Sequence, residues 1–529
     1  MADYLINDTE LTSIANAIRS KGGTSASLVF PSGFVTAINA IPTGSGGGGG
    51  DADPIIMRTI NGTYSNSTAT VVGTSAFNGC FNLGSVNFPS VSIISSYAFA
   101  YCSNLNTVEF PICKEVGMYA FISCALLENI SFPQCEAIYS YAFANTNISV
   151  ASFSLCSLVG GNAFEKCFNL IEANFSACTS ISGYAFNSCS SLTTLNFPIC
   201  TSINTNAFMR CTSLSIASFP SCVSIQTNAF NSNTALKTLS FPELDFIGAS
   251  AFANCTSLEE IYFPKCRILS SSAFLSCTNL SIVDLPSCIN VGTSCFYNTK
   301  VTTLSLPKCT NIGQNAFAGA LSGAFKGTQL DLPKCGTVAS SAFARSPNLV
   351  SISCPELSTV YSYGFYSCSL LQSVNLPKGN TISGYAFASC SSLSSAYIGD
   401  CYQLGTFAFG YCASLSCVNL SATSSYAITT NVFSGCNNLN TVYLTNCRYI
   451  SAGAFMKTSG TSITSFYMLG SIVTLPSSTL ASIFSANKIP VSFFVPASLY
   501  NTYLANTSWR GQSTRFVSLT DADIAALNL

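Results

Sequence analysis

The sequence predicts a repeat solenoid, in which the short strands of successive windings stack on one another. Three observations support this prediction: a phenylalanine with a period of 21 or 22 residues, cysteines spaced mostly 11 residues apart, and a composition that is very low in charge. The phenylalanine series defines eighteen windings with one insertion, and we call its members the repeat phenylalanines. They are Phe77, Phe99, Phe121, Phe143, Phe164, Phe186, Phe208, Phe230, Phe252, Phe274, Phe296, Phe317, Phe343, Phe365, Phe387, Phe409, Phe433 and Phe455.

Composition excludes several classes of protein. Hydrophobic residues make up 48% of the 529 residues and charged residues only 8%, against about 25% charged in typical soluble proteins. No apolar stretch approaches the ~20 residues that span a bilayer, so we expect a continuous buried core rather than a membrane protein. Twenty basic and 21 acidic residues leave no electrostatic footprint for nucleic acid. The chain has no histidine. This absence excludes catalytic pairs in which histidine activates a serine or cysteine, and it excludes histidine as a metal ligand.

Each winding follows the consensus I-x-x-x-A-F-x-x-C-x-x-L-x-x-[IV]-x-[FL]-P-x-C, of which residues 181–200 are a good example. Leu195 and Phe197 alternate with an outward Asn196, as in a short strand. Pro198 has no N–H to add to a ladder and ends the pairing. On the other side of the winding, Ala185 is small enough to allow two backbones to approach, and Phe186 fills the centre. This period and pattern are typical of a leucine-rich-repeat solenoid.

The cysteines form two columns, one three residues after the repeat phenylalanine and one after the proline, and no C-x-x-C motif occurs. In the first column cysteine is replaced by Thr146, Asn233, Thr299, Ala320, Ser346 and Thr458, and in the second by Val91, Leu244 and Leu357. Cysteines are lost singly rather than in pairs, which predicts reduced, structural thiols. Disulfides between stacked windings are the alternative, because a strand spacing of ~4.8 Å lies within the ~4.4–6.8 Å Cα window.

Four segments are predicted along the chain: a helical N-terminal attachment unit (1–43), a Gly-rich linker (44–51), the solenoid (52–460) and an α/β C-terminal cap (461–529). Asp8 or Thr9 can cap the first helix, and the glycine run forms a flexible tether, native or engineered. In the cap, residues 491–495 read as a strand and Pro496 as the start of a helix. The insertion at residues 319–329 contains a second Gly-Ala-Phe and suggests a partly duplicated turn.

The AF-x-x-C-x-x-L-x-x-I-x-F-P repeat resembles the BspA-type leucine-rich repeat, which occurs in bacterial surface proteins and adhesins, in some protists and in prophages. Residues 10–23, with Phe30-Pro-Ser-Gly-Phe34 and Ile38, resemble N-terminal segments of tail-associated structural proteins of phages that infect Gram-positive gut bacteria. Residues 495–500 with Trp509 resemble the ends of prophage-encoded repeat proteins. These resemblances bring no catalytic residue, metal or cofactor with them.

The resemblances imply a non-enzymatic virion protein that acts like a phage tail fibre. Residues 1–43 would bind a tail or baseplate protein, and the solenoid would bind a host surface glycan or protein. The first residues lack the basic and apolar regions of a signal peptide, which favours a virion protein assembled in the host cytoplasm, where thiols stay reduced. The alternatives are a bacterial cell-surface adhesin and a fibre or sheath subunit that self-assembles, since near-zero net charge promotes association.

Two columns of outward residues are candidates for binding. A tyrosine column lies two residues before the repeat phenylalanine, and it either covers the turn or forms an aromatic ladder on which sugar rings stack. Its members are Tyr97, Tyr119, Tyr141, Tyr184, Tyr363 and Tyr385. The outward strand positions form either a solvated face or a shallow polar groove. They are Asn87, Glu109, Asn174, Asn196, Tyr262, Asp284, Asp331, Asn375, Tyr397, Asn419 and Tyr443. No carboxylates in this frame are close enough to predict glycosidase chemistry or a calcium site.

Overall fold

The structure, a computed structural model, describes residues 60–319, 325–422, 426–457, 459–460, 463–475, 480–484, 489–509 and 511–527. The predicted attachment unit (1–43) and linker (44–51), as well as Ala320 and Thr458, lie outside these residues. The described chain divides into two compact units. The first contains the residues up to Cys222 together with Ala229–Leu236, and the second contains Val223–Asn228 and the residues from Lys237 onward.

The fold is a parallel β-solenoid of about 20 turns of about 22 residues, as predicted. Each winding contributes one longer strand, which follows the consensus leucine, and one short strand, which contains the consensus isoleucine. Equivalent positions pair in parallel, so that Ala173 lies opposite Leu195 and Asn174 opposite Asn196. Because the register equals the repeat, a residue type at one position becomes a column along the unit.

In the first unit both sets of strands are regular. The longer strands are Gly62–Ser65, Leu83–Asn87, Thr107–Glu109, Asn129–Ser131, Val150–Ser152, Glu172–Asn174, Thr194–Asn196 and Ile216–Ser218. The short strands are Val71–Val72, Ile93–Ile94, Glu115–Val116, Ala137–Ile138, Leu158–Val159, Ser180–Ile181 and Ser202–Ile203.

The second unit repeats this arrangement and adds helices. Its longer strands are Thr238–Ser240, Glu260–Tyr262, Ile282–Asp284, Thr303–Ser305, Gln329–Asp331, Ser351–Ser353, Ser373–Leu376, Ser395–Ile398, Cys417–Leu420, Thr441–Thr445, Ser465–Leu469, Ser492–Pro496 and Phe516–Leu519. Its short strands are Ser224–Ile225, Phe246–Ile247, Ile268–Leu269, Asn290–Val291, Asn311–Ile312, Thr337–Val338, Thr359–Val360, Thr381–Ile382, Gln403–Leu404, Tyr426–Ile428 and Cys447–Ile450. Its α-helices are Leu480–Ile483, Ala497–Ala505 and Asp521–Ala526, and its 3-10 helices are Thr507–Trp509 and Ser513–Arg515.

The cap continues the parallel sheet past residue 460. Thr441–Thr445 pairs with Ser465–Leu469, which pairs with Ser492–Pro496, and Phe516–Leu519 is the last strand. The strand and helix predicted on either side of Pro496 are present, with this proline directly before the helix. None of the helices in the described ranges is long and apolar enough to cross a lipid bilayer.

Stacked phenyl rings form the core. In the first unit Phe186 lies 5.2 Å from Phe164, with ring planes 1° apart. A second column, eleven residues after the first, meets it edge-on, as in Phe175–Phe186 at 5.7 Å and 68°. The insertion adds no winding, because Phe317 and Phe343 stack directly at 5.0 Å. Its Phe325 enters this core and packs edge-on against both of these rings.

All 27 cysteines lie within the described residues; none of them forms a disulfide, and all except Cys417 are buried. In the first column the thiol of Cys189 donates to the carbonyl oxygen of Phe164 in the preceding winding, at 3.1 Å. In the second column the thiol of Cys200 donates to the carbonyl oxygen of Ser202, at 3.3 Å. Thr146, which replaces a first-column cysteine, donates its hydroxyl to Phe143 O at 2.8 Å. The prediction of reduced, structural thiols is confirmed, and no disulfide joins the windings.

Candidate ligand-binding ridge

A turn around each repeat phenylalanine forms a ridge on the surface, and we call the residue two before that phenylalanine the ridge position. In all eighteen windings the backbone at the ridge position is left-handed, with φ between 53° and 72°. Serine, asparagine and glycine hold most of these positions, and the short polar ones among them tolerate this conformation well. Seven ridge positions instead carry a bulky aromatic residue, for which a positive φ is an outlier. They are Tyr97, Tyr119, Tyr141, Tyr184, Tyr363, Tyr385 and Phe407.

The first unit contains one run of stacked ridge rings. The ring centroids of Tyr97 and Tyr119 are 4.7 Å apart, and those of Tyr119 and Tyr141 are 4.8 Å apart, with ring planes within 15° of parallel. Tyr184 lies in the same column, but the next ridge residue on either side of it is an asparagine, Asn162 or Asn206. The structure thus brings three of the four tyrosines predicted in this unit into contact.

The second unit contains a second run. Tyr363 and Tyr385 stack at 5.0 Å, and Tyr385 and Phe407 at 5.2 Å. Tyr366 meets Tyr363 edge-on at 5.4 Å, and Tyr411 stacks on Phe407 at 5.7 Å, so five aromatic side chains are contiguous. Phe407 was not predicted, because the predicted column contains only tyrosines, although Phe407 stands two residues before a repeat phenylalanine.

Stacking corrects the expectation of an open aromatic ladder. Both faces of Tyr119 are covered by neighbouring rings, so a sugar ring cannot lie flat on it. Inside a run, only the ring edges and the phenol hydroxyl groups face outward. In the first unit, ring faces without a neighbouring ring occur at the ends of the run, where the next ridge residue is short (Ser75 beside Tyr97 and Asn162 beside Tyr141), and at Tyr184.

A hydrogen-bonded carboxylate lies beside the end of the first run. Glu165 accepts from Asn162 Nδ2 at 2.7 Å and from Asn187 Nδ2 at 3.2 Å. The Glu165 side chain is only 18% exposed, and Lys166 Nζ lies 3.9 Å from one of its oxygens. Burial and the nearby charge of Glu165 raise the pKa of Tyr141.

The outward strand face differs in the two units. In the first, Asn196 Nδ2 donates to Asn174 Oδ1 at 2.9 Å, so neighbouring side chains satisfy one another. In the second, Tyr443, Tyr467 and Phe494 stack at 4.5 Å intervals. Of these three residues only Tyr443 was predicted at this face, because the other two lie beyond the last complete repeat. Within the described ranges, no three His, Cys, Asp or Glu side chains are grouped closely enough to hold a metal ion.

The column geometry agrees with the comparison with known protein families. A family model described as the BspA type leucine rich repeat region matches the chain in six copies, over residues 59–167, 157–280, 201–324, 321–426 and 380–487. The chain belongs to this BspA-type family.

Solved structures similar to this BspA-type chain include three bacterial leucine-rich repeat proteins. A protein from Bacteroides ovatus is 18% identical, with 85% of this chain and 88% of that chain covered and a TM-score of 0.39. A leucine rich cell surface protein from Faecalibacterium prausnitzii is 18% identical, with coverage of 72% and 87% and a TM-score of 0.23. A T. pallidum leucine rich repeat protein is 22% identical, with coverage of 37% and 77% and a TM-score of 0.22. A comparison with curated proteins finds no match.

Proposed function

We propose that this protein is a non-enzymatic binding protein whose solenoid attaches to a glycan on a cell surface through its ridge aromatics. The supporting observation is that aromatic side chains occupy left-handed ridge positions. A left-handed conformation costs a residue with a Cβ roughly 1–2 kcal/mol, and ring stacking returns about 0.5–1.5 kcal/mol. Folding therefore gains little from these rings at a position where serine and asparagine suffice, which favours a role in binding.

The chemistry of the ridge suits a neutral partner. Phenol hydroxyl groups and ring edges alternate with serine, threonine and asparagine side chains, and few charges interrupt them. Aromatic groups with a polar tip are well suited to interfaces that are partly apolar and partly hydrogen-bonded. Because each contact is weak, several solenoids on one carrier would bind a surface with useful avidity.

The binding role is tested by removing the first run. In the variant Tyr97→Asn/Tyr119→Asn/Tyr141→Asn, every replacement is a residue that the same column already carries at Asn162 and Asn206. We expect binding to intact Gram-positive gut bacteria, and to their extracted wall polysaccharide, to fall by about tenfold or more. The matched control is Ser250→Asn/Ser272→Asn/Ser294→Asn, which changes ridge positions without aromatic rings. Unchanged binding by a correctly folded triple tyrosine variant would refute the proposal.

We further propose that a phage tail carries the solenoid, with residues 1–43 attached to the particle and residues 44–51 acting as the tether. The resemblance of residues 10–38 to tail-associated proteins supports this proposal. Antibody-labelled electron microscopy of the virion should place the chain at the tail. Labelling of the bacterial envelope in cells without phage would instead favour the cell-surface adhesin, and concentration-dependent polymers of the purified chain would favour a self-assembling fibre.

A further inference from the structure

The ridge column of the first unit has a gap directly after the first tyrosine run. The ridge column reads Tyr141, Asn162, Tyr184 in three successive windings, so two aromatic rings flank a single short side chain. We infer that this gap is a subsite for one pyranose ring of gluco configuration, held between Tyr141 and Tyr184. The inference deepens the proposed function and rests on it, because it names the sugar class and the place where the ridge binds it.

The two rings are the walls of the gap. Neighbouring ridge rings are 4.7 to 4.8 Å apart in this run. Tyr141 and Tyr184 are separated by two windings, so their rings lie about 9.5 Å apart at the strand spacing. One face of Tyr141 is covered by Tyr119, which leaves the face toward the gap uncovered by a ring. Tyr184 is 41% exposed, and the described residues place no ring against it.

The floor of the gap stays low because Asn162 is held down at its side. Its amide nitrogen donates to Glu165 at 2.7 Å, which turns the side chain along the winding instead of outward. The preceding residues in this winding and the next, Gly161 and Gly183, carry no side chain. A Cβ at Gly161 would lie 3.3 Å from the carbonyl oxygen of Gly183. Neither glycine therefore contributes a side chain to the gap.

The opposite side carries the polar groups that would orient a sugar. Glu165 and Asn187 lie in the winding of the gap and in the next one, and Asn187 Nδ2 donates to Glu165 Oε1 at 3.2 Å. Each carboxylate oxygen has two acceptor sites, so Glu165 keeps capacity after its two amide bonds. Lys166 Nζ also lies 3.9 Å from Oε1. A carboxylate with remaining acceptor sites accepts hydrogen bonds from sugar hydroxyl groups, and charge-assisted bonds of this type are stronger than neutral ones.

The walls select the configuration of the sugar. A ring held between two aromatic faces must present C–H groups on both of its own faces. A pyranose with all its hydroxyl groups equatorial meets that condition, and its hydroxyl groups point sideways toward Glu165. An axial hydroxyl group would press a polar, hydrated oxygen against a phenol ring and lose its hydrogen bonds to water. Gluco-configured residues of a neutral polysaccharide fit, whereas galacto- and manno-configured residues do not.

The subsite is tested in the full-length chain with a substitution that fills the gap. Asn162→Tyr places a ring between Tyr141 and Tyr184 at a ridge position that accepts tyrosine in neighbouring windings, so the fold is preserved. Binding of methyl β-D-glucopyranoside is measured by ligand-observed saturation-transfer NMR. We expect the wild type to bind this probe more strongly than methyl β-D-galactopyranoside, and Asn162→Tyr to bind it about tenfold more weakly or worse. The matched control Ser75→Tyr adds a ring beside Tyr97, at the end of the run away from the gap, and should bind like the wild type.

Two results separate this inference from the proposed function. The variant Tyr97→Asn/Tyr119→Asn shortens the run but leaves both walls, so it should keep its affinity for the glucoside while cell attachment weakens. Equal binding of the glucoside by wild type and Asn162→Tyr, no detectable glucoside binding by the wild type, or equal affinity for the two epimers would overturn the subsite. The proposed function would survive each of these results if the triple tyrosine variant still lost attachment to cells.

Discussion

The two units build the same winding with different cores. In the first, the second ring column is phenylalanine throughout, as in Phe175 and Phe197, which stack at 5.4 Å. In the second unit this column begins with Phe241 and Phe263 and is then mostly leucine, as at Leu285 and Leu306. The repeat phenylalanines keep their spacing in both, with 5.2 Å for Phe164–Phe186 and 5.3 Å for Phe252–Phe274. The hydrogen-bonded windings thus set the spacing, the first column is required, and the second column needs only an apolar group of adequate size.

The largest expected effect comes from emptying the first column. Phe186→Ala removes a fully buried ring that stacks on both neighbours and meets the second column edge-on. We expect a loss of about 3–5 kcal/mol in the free energy of unfolding, measured by denaturant titration and by hydrogen exchange of the windings around it. The equivalent Phe274→Ala in the second unit should cost a similar amount; a loss below about 1 kcal/mol in either unit would contradict a required column.

Alkaline pH should lower the free energy of unfolding of both units, because their cores contain columns of buried thiols. Burial is the main cause that raises the pKa of Cys200 to about 11 in the first unit and that of Cys335 to about 12 in the second. Unfolded thiols lose their protons near pH 9, so the folded state then holds more protons, and stability falls as pH rises from about 9 to these values. The slope is about 1.4 kcal/mol per pH unit for each thiol. Cys200→Val should reduce it, and a pH-independent wild type between pH 8 and 11 would be evidence against buried neutral thiols.

A smaller effect distinguishes the two phenyl columns. Phe175→Leu places in the first unit the residue type that the second unit uses at Leu285. We expect a loss of about 1 kcal/mol, because leucine fills most of the volume. Phe186→Leu should cost clearly more, because the first column keeps phenylalanine in all eighteen windings, whereas the second column also accepts leucine. Equal losses in the two variants, measured by denaturant titration, would remove the distinction between the columns.

The smallest effect is expected on the ridge. Tyr119→Asn loses two ring contacts but replaces a left-handed tyrosine with a residue that tolerates this conformation. The two contributions oppose each other, so the free energy of unfolding should change by less than about 1 kcal/mol. Tyr385→Asn in the second unit should behave alike. A loss as large as that of Phe186→Leu would mean that the ridge rings serve folding rather than binding.

Much of the interior could be predicted from sequence because each winding repeats the same local problem. A fixed period places Phe186 and Cys189 in columns, and the loss of single cysteines, as at Thr146, already indicated thiols that are not joined in pairs. The end of the solenoid was harder. The parallel sheet continues through Ser492–Pro496 and Phe516–Leu519, where the consensus is no longer visible in the sequence.

The sequence by itself determined the period and the interior columns, because these depend only on residues that recur in register. The tertiary structure decided what the surface offers. It showed that Tyr119 is covered on both faces, and that Asn162 is drawn aside by Glu165, which Asn187 of the next winding also holds. Such contacts join non-repeating residues across windings, and only the stacked backbone brings those residues within hydrogen-bonding distance.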